Sequence, residues 1–183
     1  MTRTVLVAAG GTGGHLFPAA AFSGEMRARG WRVVLMTDAR GRRYAENFPA
    51  ERVEDVPAAS LTANPFKAIP ALFKISRGIS AANKRFRELK PALVAGFGGY
   101  PSFPALMAAR GQKIPILIHE QNSVLGRVNR LFARSAAFVA CGFDRLDRLP
   151  PGAEDKKRVV GNPVRNPIKE VRERPYPDLD DSG

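Results

Sequence analysis

The sequence has a single cysteine and no long hydrophobic run. Cys141 stands alone among 183 residues, which excludes an internal disulfide framework and a cysteine-based zinc site. A lone cysteine is typical of a reducing compartment, so we expect a cytoplasmic protein. No apolar stretch approaches the roughly 18 to 20 residues that cross a bilayer, and the apolar run at residues 5–9 is too short for a signal sequence. Any membrane association is therefore expected to be peripheral.

Acidic residues are also scarce. Seventeen Asp and Glu face 29 Lys and Arg, which leaves a net charge of +12 and indicates an anionic partner. Nucleic acid is disfavoured as that partner, because aromatic residues make up only 8% of the chain and no nucleic-acid-binding motif is present.

Short aliphatic runs alternate with segments of helix length, a pattern that predicts a doubly wound parallel α/β sheet. We predict strands at 4–9, 32–37, 52–56, 92–95, 114–119, 137–141 and 158–160. Helices are predicted at 15–29, 41–48, 66–89, 101–110 and 125–133, with Gly30 and Gly111 as C-caps. Residues 1–165 form one domain, and the proline-containing stretch 166–183 is predicted to be a linker or a frayed tail.

A glycine-rich turn at residues 10–14 follows the first strand and opens a helix. Glycines allow close approach of a ligand, and free N–H groups at a helix start attract phosphate, so the turn is predicted to bind an anion. It is not a Walker A loop, because His15 and Leu16 replace the Lys-Ser/Thr pair. A dinucleotide fingerprint lacks its third glycine at Leu16, although Asp38 could act as the ribose-binding carboxylate, so an NAD-type oxidoreductase domain stays an alternative. His15 is either a base near neutral pH or a structural histidine.

Further polar groups follow later strands of the predicted sheet. A second glycine-rich turn occupies residues 96–99, and the polar residues 119–122 end an apolar run. Asn129 follows one helical stretch later, and Arg165 could bring a charge to the same edge. Because strand ends of a parallel sheet share an edge, these groups are predicted to frame a ligand cleft.

Four motifs together resemble the MurG family of peptidoglycan glycosyltransferases. They are Gly-Gly-Thr-Gly-Gly-His-x-x-Pro at 10–18, Gly-Phe-Gly-Gly-Tyr-Pro-Ser at 96–102, His-Glu-Gln-Asn at 119–122 with Gly126 and Asn129, and Gly-Asn-Pro-Val-Arg at 161–165. The resemblance implies the N-terminal half of a GT-B glycosyltransferase, which moves N-acetylglucosamine (GlcNAc) from UDP-GlcNAc to lipid I with inversion. It also implies that no metal ion or other cofactor takes part.

The resemblance also implies roles for individual residues. His15 is the candidate general base for the acceptor hydroxyl, and Glu120 is an orienting residue or, as a minor alternative, the base. The residues matching the UDP-GlcNAc side of the cleft are Thr12, Gly13, Gly14, Asn122 and Arg165. Those matching the acceptor and its diphosphate are Gly11, Gly98, Gly99, Tyr100 and Asn129.

A basic amphipathic segment spans residues 67–90. Its seven basic residues and one acidic residue give 7 − 1 = +6, half of the net charge of the chain. An apolar stripe edged by cations suits a helix lying on an anionic leaflet, although a core-facing helix with a solvated basic face is the alternative. The membrane-contacting residues are predicted to be Lys67, Ile69, Leu72, Phe73, Lys74 and Arg77. With lipid I as substrate, we expect a location on the cytoplasmic face of the bacterial inner membrane.

The chain departs from the MurG pattern in its length, because it stops where a C-terminal donor-binding domain should begin. We therefore expect this half to be inactive alone, whether that domain belongs to the same gene or to a separate chain. A non-catalytic membrane-recruiting subunit of a split glycosyltransferase is a further alternative.

Overall fold

The computed structural model describes residues 2–60 and 65–172, with the side chains of Pro65, Lys67, Asn166, Pro167 and Lys169 left aside. In this part of the chain the strands are β1 (Thr4–Ala8), β2 (Arg32–Thr37), β3 (Arg52–Asp55), β4 (Leu93–Gly96), β5 (Ile116–Glu120), β6 (Phe138–Cys141) and β7 (Lys157–Val159). The α-helices are α1 (Gly13–Ala28), α2 (Ala39–Arg42), α3 (Pro65–Leu89), α4 (Phe103–Gly111), α5 (Arg127–Phe132) and α6 (Asn166–Arg172).

The strands form one parallel sheet in the order β3-β2-β1-β4-β5-β6-β7. Leu6 in β1, for example, pairs with Val34 of β2 on one side and Val94 of β4 on the other. Because every pairing is parallel, the carboxyl ends of the strands share one edge of the sheet. The chain runs outwards from β1 to β3 and then returns to β4, so the direction of winding reverses between β1 and β4. Ligands of such sheets bind at this reversal point.

Both faces of the sheet are buried. On one face Leu6 and Val94 pack in a cluster with Phe86 of α3 and Leu106 of α4. On the other face Val5 and Leu35 join the cluster that contains Leu16 of α1. Two covered faces explain why the strand sequences are apolar without alternation, and they confirm the predicted doubly wound fold.

Strand bounds differ from the predictions by at most two residues, but two helix predictions were wrong in detail. The helix predicted at 41–48 is the single turn α2, which starts earlier because Asp38 is its N-cap and accepts a hydrogen bond from Gly41 N at 2.9 Å. Gly111 is the last residue of α4 and not its C-cap; the left-handed residue is Lys113, with φ of 56°. Gly30 has φ of 79°, as expected of a residue that ends a helix.

The predicted tail begins as a helix, because α6 covers its first seven residues. The rest of the tail, residues 173–183, lies outside the described part of the chain, as do Met1 and residues 61–64.

Candidate functional site

The two glycine-rich turns meet at the reversal point of the sheet. Gly99 has φ of +76°, and a Cβ built on it would lie 2.7 Å from the carbonyl oxygen of Gly10. Gly98 has φ of +89°, and its Cβ would lie 3.2 Å from both Cε1 and Nδ1 of His15. Side chains at these two positions would strain the backbone and collide with the first turn, so only glycine lets the two turns pack together.

The start of α1 presents unused hydrogen-bond donors beside these turns. Thr12 is the N-cap residue with extended backbone, and its side chain makes no capping hydrogen bond. Among the described residues, none accepts a hydrogen bond from the backbone N–H groups of Thr12, Gly13 and Gly14. Such donors at the positive end of a sixteen-residue helix favour an anion.

His15 is held in one orientation by the second turn. Its Nδ1 lies 2.9 Å from the carbonyl oxygen of Phe97. A carbonyl oxygen can only accept, so Nδ1 carries the proton and the lone pair of the neutral imidazole resides on Nε2. This arrangement can accept a proton from a bound ligand at Nε2.

Glu120 is an organising carboxylate. It is only 2% exposed, and its two oxygens accept four hydrogen bonds. Oε1 accepts from the backbone N and Nδ2 of Asn122 at 3.2 and 3.1 Å. Oε2 accepts from Gly126 N and Asn129 Nδ2, both at 2.9 Å. With its acceptor sites used in this way, Glu120 has the contacts that the predicted orienting role requires.

Asn129 and His119 complete the buried polar layer under the site. Asn129 Nδ2 also donates to the carbonyl oxygen of His119 at 3.2 Å, so both of its amide hydrogens are used inside the protein. His119 Nε2 donates to the carbonyl oxygen of Gly161 at 3.2 Å, and Nδ1 accepts from Gln121 Nε2 at 3.1 Å. Burial lowers the pKa of His119 below its ordinary value of 6.5. This layer is therefore a buried support held by internal hydrogen bonds, in which Asn129 Oδ1 is the atom without a partner among the described residues.

A cavity of about 350 Å³, here termed the site cavity, opens above this layer. It brings together seven predicted site residues, namely His15, Gly98, Gly99, Tyr100, Glu120, Asn122 and Asn129. The rest of its wall is formed by Ala59, Ser60, Ile75, Phe103, Gly126, Arg127, Val128 and Leu131. Ligand cavities commonly hold roughly 300 to 1,000 Å³, so this one can enclose part of a large ligand.

The remaining predicted site residues lie outside the site cavity. Gly11, Thr12, Gly13 and Gly14 form the adjoining turn. Arg165 approaches that turn indirectly. Its guanidinium carbon lies 3.9 Å from the centre of the Phe17 ring, and a Cβ on Gly13 would lie 2.9 Å from Cε2 of the same ring.

Asp38 does not offer a free carboxylate to a ribose. Oδ1 accepts from Gly41 N, and Oδ2 accepts from the hydroxyl of Tyr100 at 2.7 Å. The pKa of Tyr100 is raised, mainly by burial and to a smaller extent by this hydrogen bond to Asp38. Each oxygen of Asp38 is thus already engaged by a group of the protein, so a ribose would have to share this carboxylate with Gly41 and Tyr100. Within the described residues, 2–60 and 65–172, no group of three or more His, Cys, Asp or Glu side chains could hold a metal ion.

The start of α3 carries an exposed apolar surface, here termed the α3 patch and made of Phe66, Ile69, Leu72 and Phe73. Their exposed fractions run from 55% to 88%. Lys74 and Arg77 are exposed beside the α3 patch, and the Arg77 guanidinium lies 5.9 Å from the centre of the Phe73 ring.

The opposite face of α3 packs inward through Ile75, Ala82 and Phe86. Lys67, also predicted to contact a membrane, has a side chain outside the described residues. Within the described helices, none has the length and hydropathy needed to cross a bilayer.

Sequence reasoning missed the apolar and cationic wall of the site cavity. Arg127 and Leu131 of α5 line it, together with Ile75 of α3 and Phe103 of α4. No motif marks these residues, because they come together from three helices that are distant in sequence. The only available signal was the spacing of four between Arg127 and Leu131, which places them on one helix face.

Known proteins match the chain over most of its length. The model of the "Glycosyltransferase family 28 N-terminal domain" matches residues 5–141. The UDP-N-acetylglucosamine–N-acetylmuramyl-(pentapeptide) pyrophosphoryl-undecaprenol N-acetylglucosamine transferase of Maricaulis maris (strain MCS10) is 52% identical over 182 residues, 99% of this chain and 50% of that protein. The transferase of the same name from Caulobacter vibrioides (strain NA1000 / CB15N) is 49% identical over 177 residues, 96% and 49% of the two chains. The chain thus spans about half the length of these curated relatives.

Solved structures agree with this match. The crystal structure of Acinetobacter baumannii MurG superposes with a TM-score of 0.74 at 31% identity, over 95% of this chain and 49% of that one. A UDP-N-acetylglucosamine 2-epimerase superposes with a TM-score of 0.61 at 15% identity, over 88% and 47% of the two chains. The second likeness is one of fold alone.

Proposed function

The chain belongs to the glycosyltransferase family 28 N-terminal domains, and from this premise we propose that it is the acceptor-binding half of an enzyme that transfers GlcNAc from UDP-GlcNAc to lipid I. The product is lipid II, the disaccharide precursor of peptidoglycan. The identity of 52% to a transferase of that name supports the substrate assignment.

The observation that carries the proposal is the setting of His15. Its Nδ1 is bonded to the carbonyl oxygen of Phe97, so the lone pair of Nε2 is available. The same imidazole lines the site cavity and lies beside the unused N–H donors at the start of α1. A base and an anion-binding turn are thus adjacent at the reversal point of the sheet, as transfer from a sugar diphosphate to an alcohol requires.

In the proposed reaction, Nε2 of His15 takes the proton from the 4-hydroxyl of the muramyl sugar as its oxygen attacks the anomeric carbon of GlcNAc. The bond from that carbon to the diphosphate oxygen breaks, and UDP leaves with the electron pair. Attack opposite the leaving group inverts the anomeric carbon. Glu120 contributes by fixing Asn122 and the start of α5 through its four hydrogen bonds.

Charge stabilisation is assigned to the first glycine-rich turn. Thr12, Gly13 and Gly14 offer backbone N–H groups whose positions are fixed before the ligand arrives, which helps most as negative charge grows on the leaving diphosphate. Asn122 and Arg165 contact UDP-GlcNAc from this half. Gly11, Gly98, Gly99, Tyr100 and Asn129 shape the acceptor side.

The α3 patch supports a location at the membrane that holds lipid I. Its apolar side chains are exposed to 55% or more, and Lys74 and Arg77 add positive charge beside them. Such a surface inserts shallowly and attracts anionic lipid, each cation contributing about 1 kcal/mol near the surface. The proposed location is therefore the cytoplasmic face of the bacterial inner membrane.

A C-terminal domain is the proposed partner, because the chain spans about half of its curated relatives. The test is transfer of labelled GlcNAc to lipid I by the chain alone and after addition or fusion of the C-terminal domain of a close relative. We expect transfer only with both halves, since the donor pocket lies mainly in the other domain.

A separate assay tests the alternative of a nicotinamide-dependent activity: the chain is incubated with NAD and a panel of alcohols, and formation of NADH is measured. Failure of the completed enzyme to transfer GlcNAc to lipid I, with the chain folded, would contradict the proposal. Membrane binding without transfer would instead favour a recruiting subunit.

A further inference from the structure

We propose that Arg127 and Leu131 of α5 form a subsite for the junction between a diphosphate and a polyprenyl chain. The inference rests on the proposed function and names the part of the acceptor that this wall of the site cavity would hold. Both residues line the site cavity, and a spacing of four puts them on one face of the helix, about 5 to 6 Å apart at Cβ. A cation and an apolar side chain at that separation match a ligand in which an anionic group is bonded directly to a hydrocarbon chain.

Arg127 supplies the charge for the diphosphate. Among the described residues that line the site cavity, it is the one Lys or Arg. It forms no ion pair with another described residue. The nearest acidic group in the wall, Glu120, is already saturated by four hydrogen bonds from Asn122, Gly126 and Asn129. The guanidinium is thus available to an anion, to which it can donate two parallel hydrogen bonds.

Leu131 supplies the apolar side of the subsite. It is 60% exposed although it is leucine, and its neighbours in the cavity wall include Val128, Phe103 and Ile75. Ile75 is at the edge of the buried face of α3 and lines the site cavity, and Leu72 of the α3 patch is its neighbour three residues earlier on the helix surface. Apolar side chains therefore continue from the site cavity to the surface proposed to contact the membrane. A polyprenyl chain that follows this path would cover the exposed parts of Leu131 and Leu72.

The helix that carries the pair is held in place before any ligand binds. Gly126, the residue before Arg127, donates its backbone N–H to Glu120 Oε2, and Asn129 between the two residues donates to the same oxygen. Phe132, the residue after Leu131, is buried and its ring lies 5.7 Å from that of Phe103. A rigid helix carrying both groups lowers the ordering cost of binding.

The test measures binding of farnesyl diphosphate to the complete 183-residue chain by isothermal titration calorimetry, with inorganic diphosphate and farnesol as separate probes. Arg127→Gln should weaken farnesyl diphosphate and inorganic diphosphate by about tenfold, because a charge-assisted contact is lost. Leu131→Gln should weaken farnesyl diphosphate by about fivefold and leave inorganic diphosphate unchanged, because only apolar contact is lost.

Two matched variants control for nonspecific effects. Arg130→Gln removes an exposed cation of the same helix that does not line the site cavity, and Val160→Gln alters a residue that is also 60% exposed but lies elsewhere. Both should bind like wild type. Absence of saturable farnesyl diphosphate binding by wild type, or equal losses in test and control variants, would overturn the subsite. Transfer of GlcNAc by the completed wild-type enzyme would in either case leave the proposed function standing.

Discussion

At the residue scale, the surroundings of His15 decide which of its nitrogens can take a proton. The Phe97 carbonyl holds the hydrogen on Nδ1, and Gly98 brings the second turn to within contact of the ring. The imidazole is thus oriented by backbone, while Nε2 keeps its lone pair. This arrangement leaves a proton-accepting nitrogen on a residue that lines the site cavity, as the proposed role of general base requires.

Replacement of His15 tests this assignment. In the completed two-domain enzyme, His15→Ala should lower kcat by about 10² to 10⁴, the usual contribution of a general base. Acceptor binding should change little, because the glycine-rich turns remain. His15→Gln, which keeps a polar side chain of similar length, should be equally slow, since an amide is not basic. Steady-state kinetics with labelled donor measure both, and wild-type turnover in either variant would exclude His15 as the base.

Several site residues could be predicted from the sequence, whereas their partners could not. The polar run at 119–122 follows an apolar strand, which indicates a strand end and a ligand-facing edge. The four hydrogen bonds that make Glu120 a support depend on Gly126 and Asn129, whose approach only the folded chain defines. Asp38 is another example. Its hydrogen bond with the hydroxyl of Tyr100 joins residues 62 positions apart in sequence, so no local pattern could predict it.

At the element scale, the two ends of α3 differ in burial. Its later turns bury Ala82 and Phe86 against the sheet, while its first turns leave Ile69 and Phe73 exposed. A helix that only packed on the core would not expose four large apolar side chains at one end. The alternative given in the sequence analysis, a core-facing helix with a solvated basic face, therefore describes the second half of α3 and not its first turns.

The membrane proposal for α3 is tested by charge reversal. Lys74→Glu combined with Arg77→Glu should reduce binding to vesicles containing anionic lipid by about 30-fold or more, because two attractive charges become repulsive. Wild-type binding should weaken as salt rises. Vesicle co-sedimentation measures both effects.

A control variant carries Arg27→Glu and Arg43→Glu, two exposed cations on other elements. It has the same net charge as the test variant and should keep most of the binding. Equal losses in the two variants would show that total charge, and not α3, governs the interaction.

Helices and strands differed in how well the sequence located them. Strands were recovered within two residues because apolar runs covered on both faces have sharp ends. The end of α4 was misplaced because Gly111 suggested a C-cap, whereas Lys113 takes the left-handed conformation. The short helix α2 was predicted to start too late, since its start is set by the cap at Asp38 and not by periodicity.

At the scale of the whole molecule, the predicted fold class is confirmed. The sheet order and the superposition on MurG over 95% of this chain agree with the N-terminal half of a GT-B glycosyltransferase. The chain contains only two histidines. Histidine is the side chain that ordinarily titrates near neutral pH, so the pH dependence of stability there is expected to reflect His119, whose pKa is lowered by burial.

We expect the free energy of unfolding to fall as the pH drops below about 6.5. Burial depresses the pKa of His119 in the folded chain, although the Gly161 carbonyl and the charge of Glu120 oppose this. The unfolded chain therefore takes up the proton first, so the stability present above pH 6.5 is lost on acidification towards the folded pKa. Thermal unfolding followed by circular dichroism at a series of pH values measures the effect.

His119→Gln should flatten this pH dependence, although it also lowers the overall melting temperature by removing buried hydrogen bonds. His15→Gln is the matched control and should keep the decline of His119. A slope in His119→Gln as steep as that of wild type would show that another group is responsible.

The contact between His15 and Phe97 has a consequence for how the enzyme tolerates change. Many histidine bases are steered by an acidic side chain, which a single mutation deletes and acid neutralises. Here the atom that orients the imidazole is a backbone carbonyl oxygen. Every amino acid at position 97 has this oxygen, and it is not protonated at ordinary pH. Loss of this control would require moving the main chain itself, which makes the tautomer one of the most mutation-resistant properties of the protein.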